Sequence, residues 1–200
     1  MKDVQAQLNQ IVLERSKYDP YFLDSTILIT KETRKMVAKF LFQYSGKIKL
    51  SKIYKTSDGW TADEIHAKID GQAPTITIVK TTKNKIFGGF TTIPWDKSSS
   101  YKSDTSAFTF SVDLCSKYPV NPANAGSAIY CGSGYGPTFG GGHFFNICTN
   151  SNTSNSSYMN AAHPTYPNTP LAANGKSALL DGEYNFLVAD MEVYKVSVVT

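Results

Sequence analysis

The sequence predicts a mainly β domain of the α+β class: a two-sheet antiparallel β-sandwich with two or three short flanking helices. Period-two alternation dominates from residue 75 onward, turn residues separate the alternating runs, and no β-α-β rhythm builds a parallel sheet. The 200 residues, 41% of them hydrophobic, suffice for one globular domain. We expect an N-terminal helical arm over residues 1–20 and the β-rich domain over residues 21–200.

Helical spacing is confined to the first seventy residues. The arm places apolar side chains sparsely over residues 4–17, and Pro20 interrupts it. A second helix begins after Thr30, which can cap it, and is expected to end at Gly46. Thr61 and Glu64 have the spacing of a capping box, which predicts a third helix over residues 62–69.

Seven or eight strands are expected to form the sandwich. The polar residues 82–85 have the length and chemistry of a hairpin loop between two β-rich runs. Residues 149–174 are rich in Ser, Asn and Pro and predict a long loop, which in a compact domain is usually functional or mobile. The predicted strands are 50–54, 75–79, 86–90, 107–112, 128–131, 143–148, 184–188 and 191–198.

The charge pattern bears on the class of partner. The net charge of +4 resolves into +6 in the first hundred residues and −2 in the second, and the basic half is mostly lysine. Only Arg15 and Arg34 could make bidentate contacts, which disfavours sequence-specific nucleic-acid binding. No run of about 18 apolar residues suggests a membrane span, so we expect a cytoplasmic protein. The densest basic cluster is a solvated face or a docking patch and consists of Lys47, Lys49, Lys52 and Lys55.

Cysteine and histidine spacing gives no sign of a disulfide framework, a metal or a cofactor. An odd number of dispersed cysteines fits a reducing compartment, and no C-x-x-C or paired-histidine spacing occurs. Cys115, near Lys117, is the best candidate for a redox thiolate, although a buried inert thiol is the favoured interpretation. The residues concerned are Cys115, Cys131, Cys148, His66, His143 and His163.

A glycine-rich segment precedes His143. Residues 132–137 and 140–142 do not lead into a lysine and a helix, as a phosphate-binding loop requires, so turns with positive φ or close packing explain the glycines better. A catalytic base at His143 would need an orienting carboxylate and a nucleophile, and neither stands at a recognisable spacing. We therefore predict no catalytic residue.

Several motifs occur in the order found in one known family. From about Ile27 to Val198 the chain resembles the TLDc domain, with an alanine at position 73 and a phenylalanine at position 144 as departures from the family pattern. The motifs that carry the resemblance are YKTSDGW at 54–60, APTITIVK at 73–80, IFGGF at 86–90, IPW at 93–95, AFTFS at 107–111, YGPTFGGGH at 135–143, GEYNF at 182–186 and MEVY at 191–194.

The resemblance implies a two-sheet antiparallel sandwich with short helices. It also implies a eukaryotic cytosolic protein that is linked to protection against oxidative damage and binds the vacuolar-type proton pump (V-ATPase), whose peripheral stalk relatives engage. No accepted catalytic residue comes with the family. Phe144 stands where relatives often carry an acidic residue, so a polar contact made there is not expected in this chain.

Three hypotheses of function follow. The leading one is a non-enzymatic interaction module that binds the V-ATPase or another multisubunit assembly. The second is a structural subunit of a cytoskeletal, ciliary or membrane-enzyme complex, held through residues 1–20, and the third is a redox-active or hydrolytic enzyme. Because aromatic and desolvated charged side chains dominate interface energy, the predicted contact residues are Trp60, Trp95, Tyr135, Phe139, Phe144, Lys47, Lys49, Lys52 and Lys55.

Overall fold

The structure is a computed structural model that describes residues 21–41 and 47–199. The predicted N-terminal arm, residues 1–20, and the predicted helix end at Gly46 lie outside the described residues.

Two α-helices form where capping residues predict them. Helix α1 spans Lys31–Phe40, and its N-cap Thr30 accepts a hydrogen bond from the backbone N–H of Thr33. Helix α2 spans Ala62–Ile69 behind the capping box that Thr61 and Glu64 were predicted to form. No helix in the described part of the chain is long and apolar enough to cross a membrane.

Twelve strands, more than the predicted seven or eight, lie in the described residues. The additional strands contain two to four residues each, which is too short for alternation to be recognised. The predicted loop over residues 149–174 also contains one of them, Ser157–Met159. The strands are β1 (Lys47–Lys55), β2 (Thr75–Thr81), β3 (Ile86–Thr91), β4 (Ser100–Lys102), β5 (Phe108–Ser111), β6 (Ser116–Pro119), β7 (Ile129–Cys131), β8 (Thr138–Phe139), β9 (Phe145–Asn146), β10 (Ser157–Met159), β11 (Asn185–Phe186) and β12 (Val188–Val199).

The strands form two antiparallel six-stranded sheets, which confirms the predicted β-sandwich. Sheet I has the order β1-β12-β2-β3-β5-β6, and sheet II has the order β11-β10-β9-β8-β7-β4. The predicted hairpin joins β2 to β3, with Thr77 opposite Gly89. The long strand β12 lies between β1 and β2 and pairs with both, so it is an interior strand of sheet I.

Sheet I is buried on both faces. Its inner face packs against sheet II around Val79, Phe87 and Val193, which share one core with side chains of β7 to β11. Its outer face packs against the segment that contains α1, in a second core that includes Val37 and Phe110. The domain therefore has three layers: the α1 segment, sheet I and sheet II.

Strand β3 carries two consecutive glycines because aromatic rings approach it from both cores. A Cβ on Gly88 would lie 2.0 Å from the backbone carbonyl oxygen of Thr77 and 2.6 Å from the ring of Phe110 on the outer side. A Cβ on Gly89 would lie 2.6 Å from the ring of Phe139 on the inner side. Strand side chains alternate between faces, so neighbouring glycines leave space for one ring on each face.

A buried carboxylate joins the segment before α1 to sheet I. The side chain of Glu192 is fully buried; it accepts hydrogen bonds from the Ser25 hydroxyl at 2.6 Å and the Thr26 backbone N–H at 2.8 Å. Lys52 Nζ lies 2.8 Å from the same carboxylate and also donates to the carbonyl of Asp24. Burial opposes the charged form, but these partners hold the pKa of Glu192 below its ordinary value of 4.5.

Gly89→Ala should lower the free energy of unfolding by about 1–3 kcal/mol, because the new Cβ would displace the buried ring of Phe139. Gly126→Ala is the matched control, since an added Cβ there meets no atom within 4 Å. Its effect should stay within about 0.5 kcal/mol. Chemical denaturation measures both, and equal stabilities of the two variants would contradict the role assigned to Gly89.

Glu192→Gln should lower the free energy of unfolding at neutral pH by about 3 kcal/mol, because largely buried Lys52 would lose its nearest charged partner and keep only Asp24, 3.8 Å away. The folded pKa of Glu192 lies below the unfolded value, so its contribution is complete above about pH 4.5. That contribution is lost as the pH falls through the folded pKa.

The stability difference between wild type and Glu192→Gln should therefore stay constant down to about pH 5.5 and shrink below about pH 4.5. Urea denaturation at a series of pH values measures it. Glu183→Gln is the control, since its pair with Lys83 is exposed and should contribute less than about 1 kcal/mol. A difference that did not narrow in acid would show that the charge of Glu192 is unimportant.

Candidate functional site

A row of side chains crosses the outer face of sheet II. Tyr101 pairs with Tyr130, and Tyr130 pairs with Thr138. On the other side of the sheet's centre, Tyr158 pairs with Asn146. Paired residues on neighbouring strands point to the same face. Their chain neighbours, such as Phe139, lie in the inner core, so this row faces away from sheet I.

Two aromatic side chains from turns cover the small residues in the middle of this row. Tyr135 precedes β8 and is fixed by an isolated bridge to Cys148. His143 lies in the turn between β8 and β9, and both side chains are half-buried. Together with Tyr184, which precedes β11, they complete a surface that we call the tyrosine face. It consists of Tyr101, Tyr130, Tyr135, His143, Tyr158 and Tyr184.

The glycines of the predicted motif position His143. Gly140 has φ +85°, Gly142 has φ +57°, and His143 itself has φ +59°, so the turn reverses the chain within a few residues. This confirms the prediction that turn geometry explains these glycines. Gly132 acts by close packing, because a Cβ there would lie 2.6 Å from the ring of Tyr130 and 2.8 Å from that of Tyr135.

The rings of the tyrosine face contact one another continuously. The ring centroid of His143 lies 4.8 Å from that of Tyr130, 5.5 Å from that of Tyr135 and 6.2 Å from that of Tyr158. Tyr158 in turn stacks on Tyr184 at 5.1 Å with an interplanar angle of 7°. These distances are typical of favourable aromatic pairs, so the face is a connected cluster.

Hydrogen bonds connect the turn that carries His143 to the tyrosines on either side of it. Tyr158 Oη lies 3.1 Å from His143 Nδ1, and the Gly142 backbone N–H donates to Tyr101 Oη at 3.1 Å. Burial lowers the pKa of His143 and is the main cause that raises the pKa of Tyr158. Both shifts favour neutral side chains near pH 7, so Nδ1 can accept the hydrogen of the phenol.

The described surroundings of His143 are aromatic and lack the parts of a hydrolytic site. The carboxylate that does bind a histidine is Asp70, 2.6 Å from Nδ1 of His66. Nε2 of His66 lies 3.1 Å from the carbonyl of Gly132, so both ring nitrogens have structural partners. Among the described residues no group of three or more His, Cys, Asp or Glu side chains could hold a metal ion.

The three cysteines differ in burial and in the partners of their thiols. Burial raises the pKa of the Cys131 thiol, which is opposite to the change that a reactive thiolate needs. Cys148 is buried, and its Sγ lies 3.2 Å from the hydroxyl of Ser157. Cys115 is exposed, and its Sγ lies 3.6 Å from the carbonyl of Val112. The geometry at these thiols therefore does not support the redox hypothesis.

A depression of about 340 Å³ lies beside the β2–β3 hairpin. Its charged side chains already pair with one another: Lys85 Nζ lies 2.8 Å from Asp181, and Lys83 contacts Glu183. Paired, exposed charges of this kind contribute little and indicate no particular ligand.

Three predicted contact residues are not exposed, so the expectation that they form a surface is wrong. Trp95 is 2% exposed and donates from Nε1 to the hydroxyl of buried Thr75. Phe139 and Phe144 are fully buried: the first packs on Gly89 and the second lies 5.3 Å from the ring of Tyr166. Each of the three lies in a short strand or a turn, where the sequence shows no alternation that would predict an inward-facing side chain.

The other predicted contact residues have different environments. Lys52 is largely buried in its ion pair with Glu192, whereas Lys49 and Lys55 are exposed on edge strand β1. Trp60 is partly buried against the inner core. Tyr135 alone among the predicted aromatics belongs to the tyrosine face, and the side chain of Lys47 lies outside the described part of the chain.

Sequence reasoning missed four residues of the tyrosine face: Tyr101, Tyr130, Tyr158 and Tyr184. One signal was available in the strand Ile129–Cys131, where a tyrosine stands between two apolar residues and alternation predicts that it points outward. The remaining three come from separate strands and turns that only the sheet pairing brings together.

The sequence matches the model of a known protein family. The family model described as the TLDc domain matches residues 22–197, which is nearly the whole described chain. No curated protein matches the chain.

The imidazole of His143 should titrate below its ordinary pKa of 6.5, because burial disfavours the charged form. The unfolded chain takes up this proton near 6.5, so stability should decline as the pH falls below that value. A two-dimensional NMR titration, with His143→Asn for assignment, measures the folded pKa. The urea-unfolded protein supplies the reference, and a folded pKa at or above that reference would contradict the burial of His143.

Proposed function

This chain belongs to the TLDc domain family, and from that premise we propose that it is a protein-interaction module whose contact surface is the tyrosine face. Family membership suggests a non-enzymatic module related to oxidation resistance. The family is generally non-catalytic. The finer proposal is that this chain binds a large assembly and performs no catalysis of its own.

The observation that carries the proposal is the accessibility of a connected aromatic cluster. Tyr101 is 44% exposed and Tyr184 is 39% exposed, although both are large and aromatic. Tyrosine is enriched in protein interfaces because it offers a large, rigid contact area and a hydrogen-bonding hydroxyl. Such a cluster stays well solvated in the free protein and gains from burial against a partner.

The partner that we propose is the V-ATPase, at its peripheral stalk, or another multisubunit assembly. This choice rests on family membership, because the resemblance to the TLDc domain implies that relatives bind the peripheral stalk of the pump. Binding there implies a cytoplasmic location and a link to protection against oxidative damage. Exposed Lys49 and Lys55 on β1, with partly buried Trp60, are secondary contact candidates.

The test compares two surface substitutions of equal exposure. Tyr184 on the tyrosine face and Leu114 in the β5–β6 turn are both 39% exposed. Native lysate passed over the immobilised protein should yield V-ATPase subunits, identified by mass spectrometry. Tyr184→Ser should reduce the recovered subunits about tenfold, since truncation of an aromatic side chain that dominates an interface costs more than 1 kcal/mol.

Leu114→Ser should leave the recovery unchanged, and thermal unfolding should confirm that both variants are folded. An equal loss of recovered subunits in the two variants would contradict the proposal that the tyrosine face is the contact surface. If a different assembly is recovered and its recovery depends on Tyr184, that assembly is the partner in place of the V-ATPase, and the tyrosine face remains the contact surface. Absence of any Tyr184-dependent partner would overturn the proposal.

A further inference from the structure

We propose that the tyrosine face binds a proline-rich segment in the polyproline II conformation. The proposal rests on the proposed interaction function and specifies the chemistry of the partner. Three properties of the face lead to it: its neutrality, its length across sheet II and the free hydroxyl groups along it.

Neutrality excludes partners that are recognised by charge. The six residues of the tyrosine face are five tyrosines and His143, whose pKa is lowered by burial. A face of this kind does not attract a phosphorylated or acidic motif, which needs arginine or lysine clusters. It fits an uncharged ligand that packs on aromatic rings and accepts hydrogen bonds.

The length of the face matches a short extended peptide. Tyr101 lies on β4 and Tyr158 on β10, four strand steps apart in sheet II, and Tyr184 adjoins β11 one step further. The ring centroids of Tyr101 and His143 lie 6.3 Å apart, those of His143 and Tyr158 6.2 Å, and those of Tyr158 and Tyr184 5.1 Å, so the rings span at most about 18 Å. A polyproline II segment rises about 3.1 Å per residue, so about six residues cover that distance.

Hydroxyl groups are available along this length. Within the described chain, Tyr101 Oη and Tyr158 Oη have hydrogen-bond partners, whereas the hydroxyls of Tyr130, Tyr135 and Tyr184 have none. The carbonyl groups of a polyproline II segment have no internal partners and accept hydrogen bonds from such donors. Proline rings pack on aromatic faces, and the preformed conformation limits the entropy lost on binding.

An oligosaccharide is the competing ligand, since sugars also stack on tyrosine rings. Neither amide side chain beside the row is fully available to a sugar: Asn146 is 1% exposed, and Asn185 Nδ2 donates to the carbonyl of Asn155. A polyproline II segment needs only rings and hydrogen-bond donors, which the tyrosines supply. Because a tyrosine hydroxyl can also accept, the experiment includes an oligosaccharide as a comparison ligand.

The experiment titrates the ¹⁵N-labelled full-length protein with decaproline and follows amide shifts around Tyr130, Tyr135 and His143. A glycine-serine peptide of equal length and maltohexaose serve as comparison ligands. Decaproline should shift these resonances in a saturable way, and the two comparison ligands should not. Shifts with maltohexaose alone, or equal shifts with both peptides, would overturn the proposal.

Substitutions then separate ring packing from hydrogen bonding. Tyr130→Phe combined with Tyr184→Phe keeps the rings and removes two free hydroxyls, and should raise the Kd for decaproline about tenfold. Leu114→Ser, on sheet I, should leave the Kd unchanged. An unchanged Kd in the double phenylalanine variant would contradict the assigned hydroxyl contacts.

Failure of the polyproline proposal is distinguishable from failure of the proposed interaction function. If decaproline does not bind while Tyr184→Ser still abolishes capture of a partner assembly, the interaction surface stands and the polyproline ligand is wrong. If decaproline binds and no assembly depends on Tyr184, the ligand chemistry stands and the proposed cellular partner is wrong.

Discussion

The contact between the ring of Phe139 and the bare backbone of Gly89 sets the separation of the two sheets. Phe139 lies in β8 at the centre of sheet II, and Gly89 lies in β3 within sheet I. Only a residue without a side chain lets an aromatic ring reach the strand backbone. On the opposite face of the same strand, the ring of Phe110 from the neighbouring strand β5 covers Gly88 and belongs to the core on which the α1 segment packs.

The β8–β9 hairpin contributes Phe139 to the inner core and His143 to the candidate interaction surface. Phe139 points inward from β8, and within four residues the chain reverses and places His143 on the outer face. The tyrosine rings of β4, β7 and β10 then pack around the histidine. A change in how sheet II sits on sheet I would therefore move the centre of the tyrosine face.

Local sequence signals predicted the fold well where they act over a few residues. The capping box at Thr61 and Glu64 defined α2, and the polar residues 82–85 defined the β2–β3 hairpin. Predictions about exposure were poorer. Trp95 and Phe139 resemble surface aromatics in the sequence because they stand beside Pro, Gly and Thr, yet both complete the inner core.

The sequence by itself determined the class of fold, the antiparallel pairing of β2 with β3, the turns at the glycines and the family, because these depend on alternation, capping and motif order along the chain. Only the tertiary structure decided which aromatic side chains meet. The tyrosine face draws on residues from 101 to 184, and its members share no local pattern, because the pairing of strands distant in sequence determines which rings become neighbours.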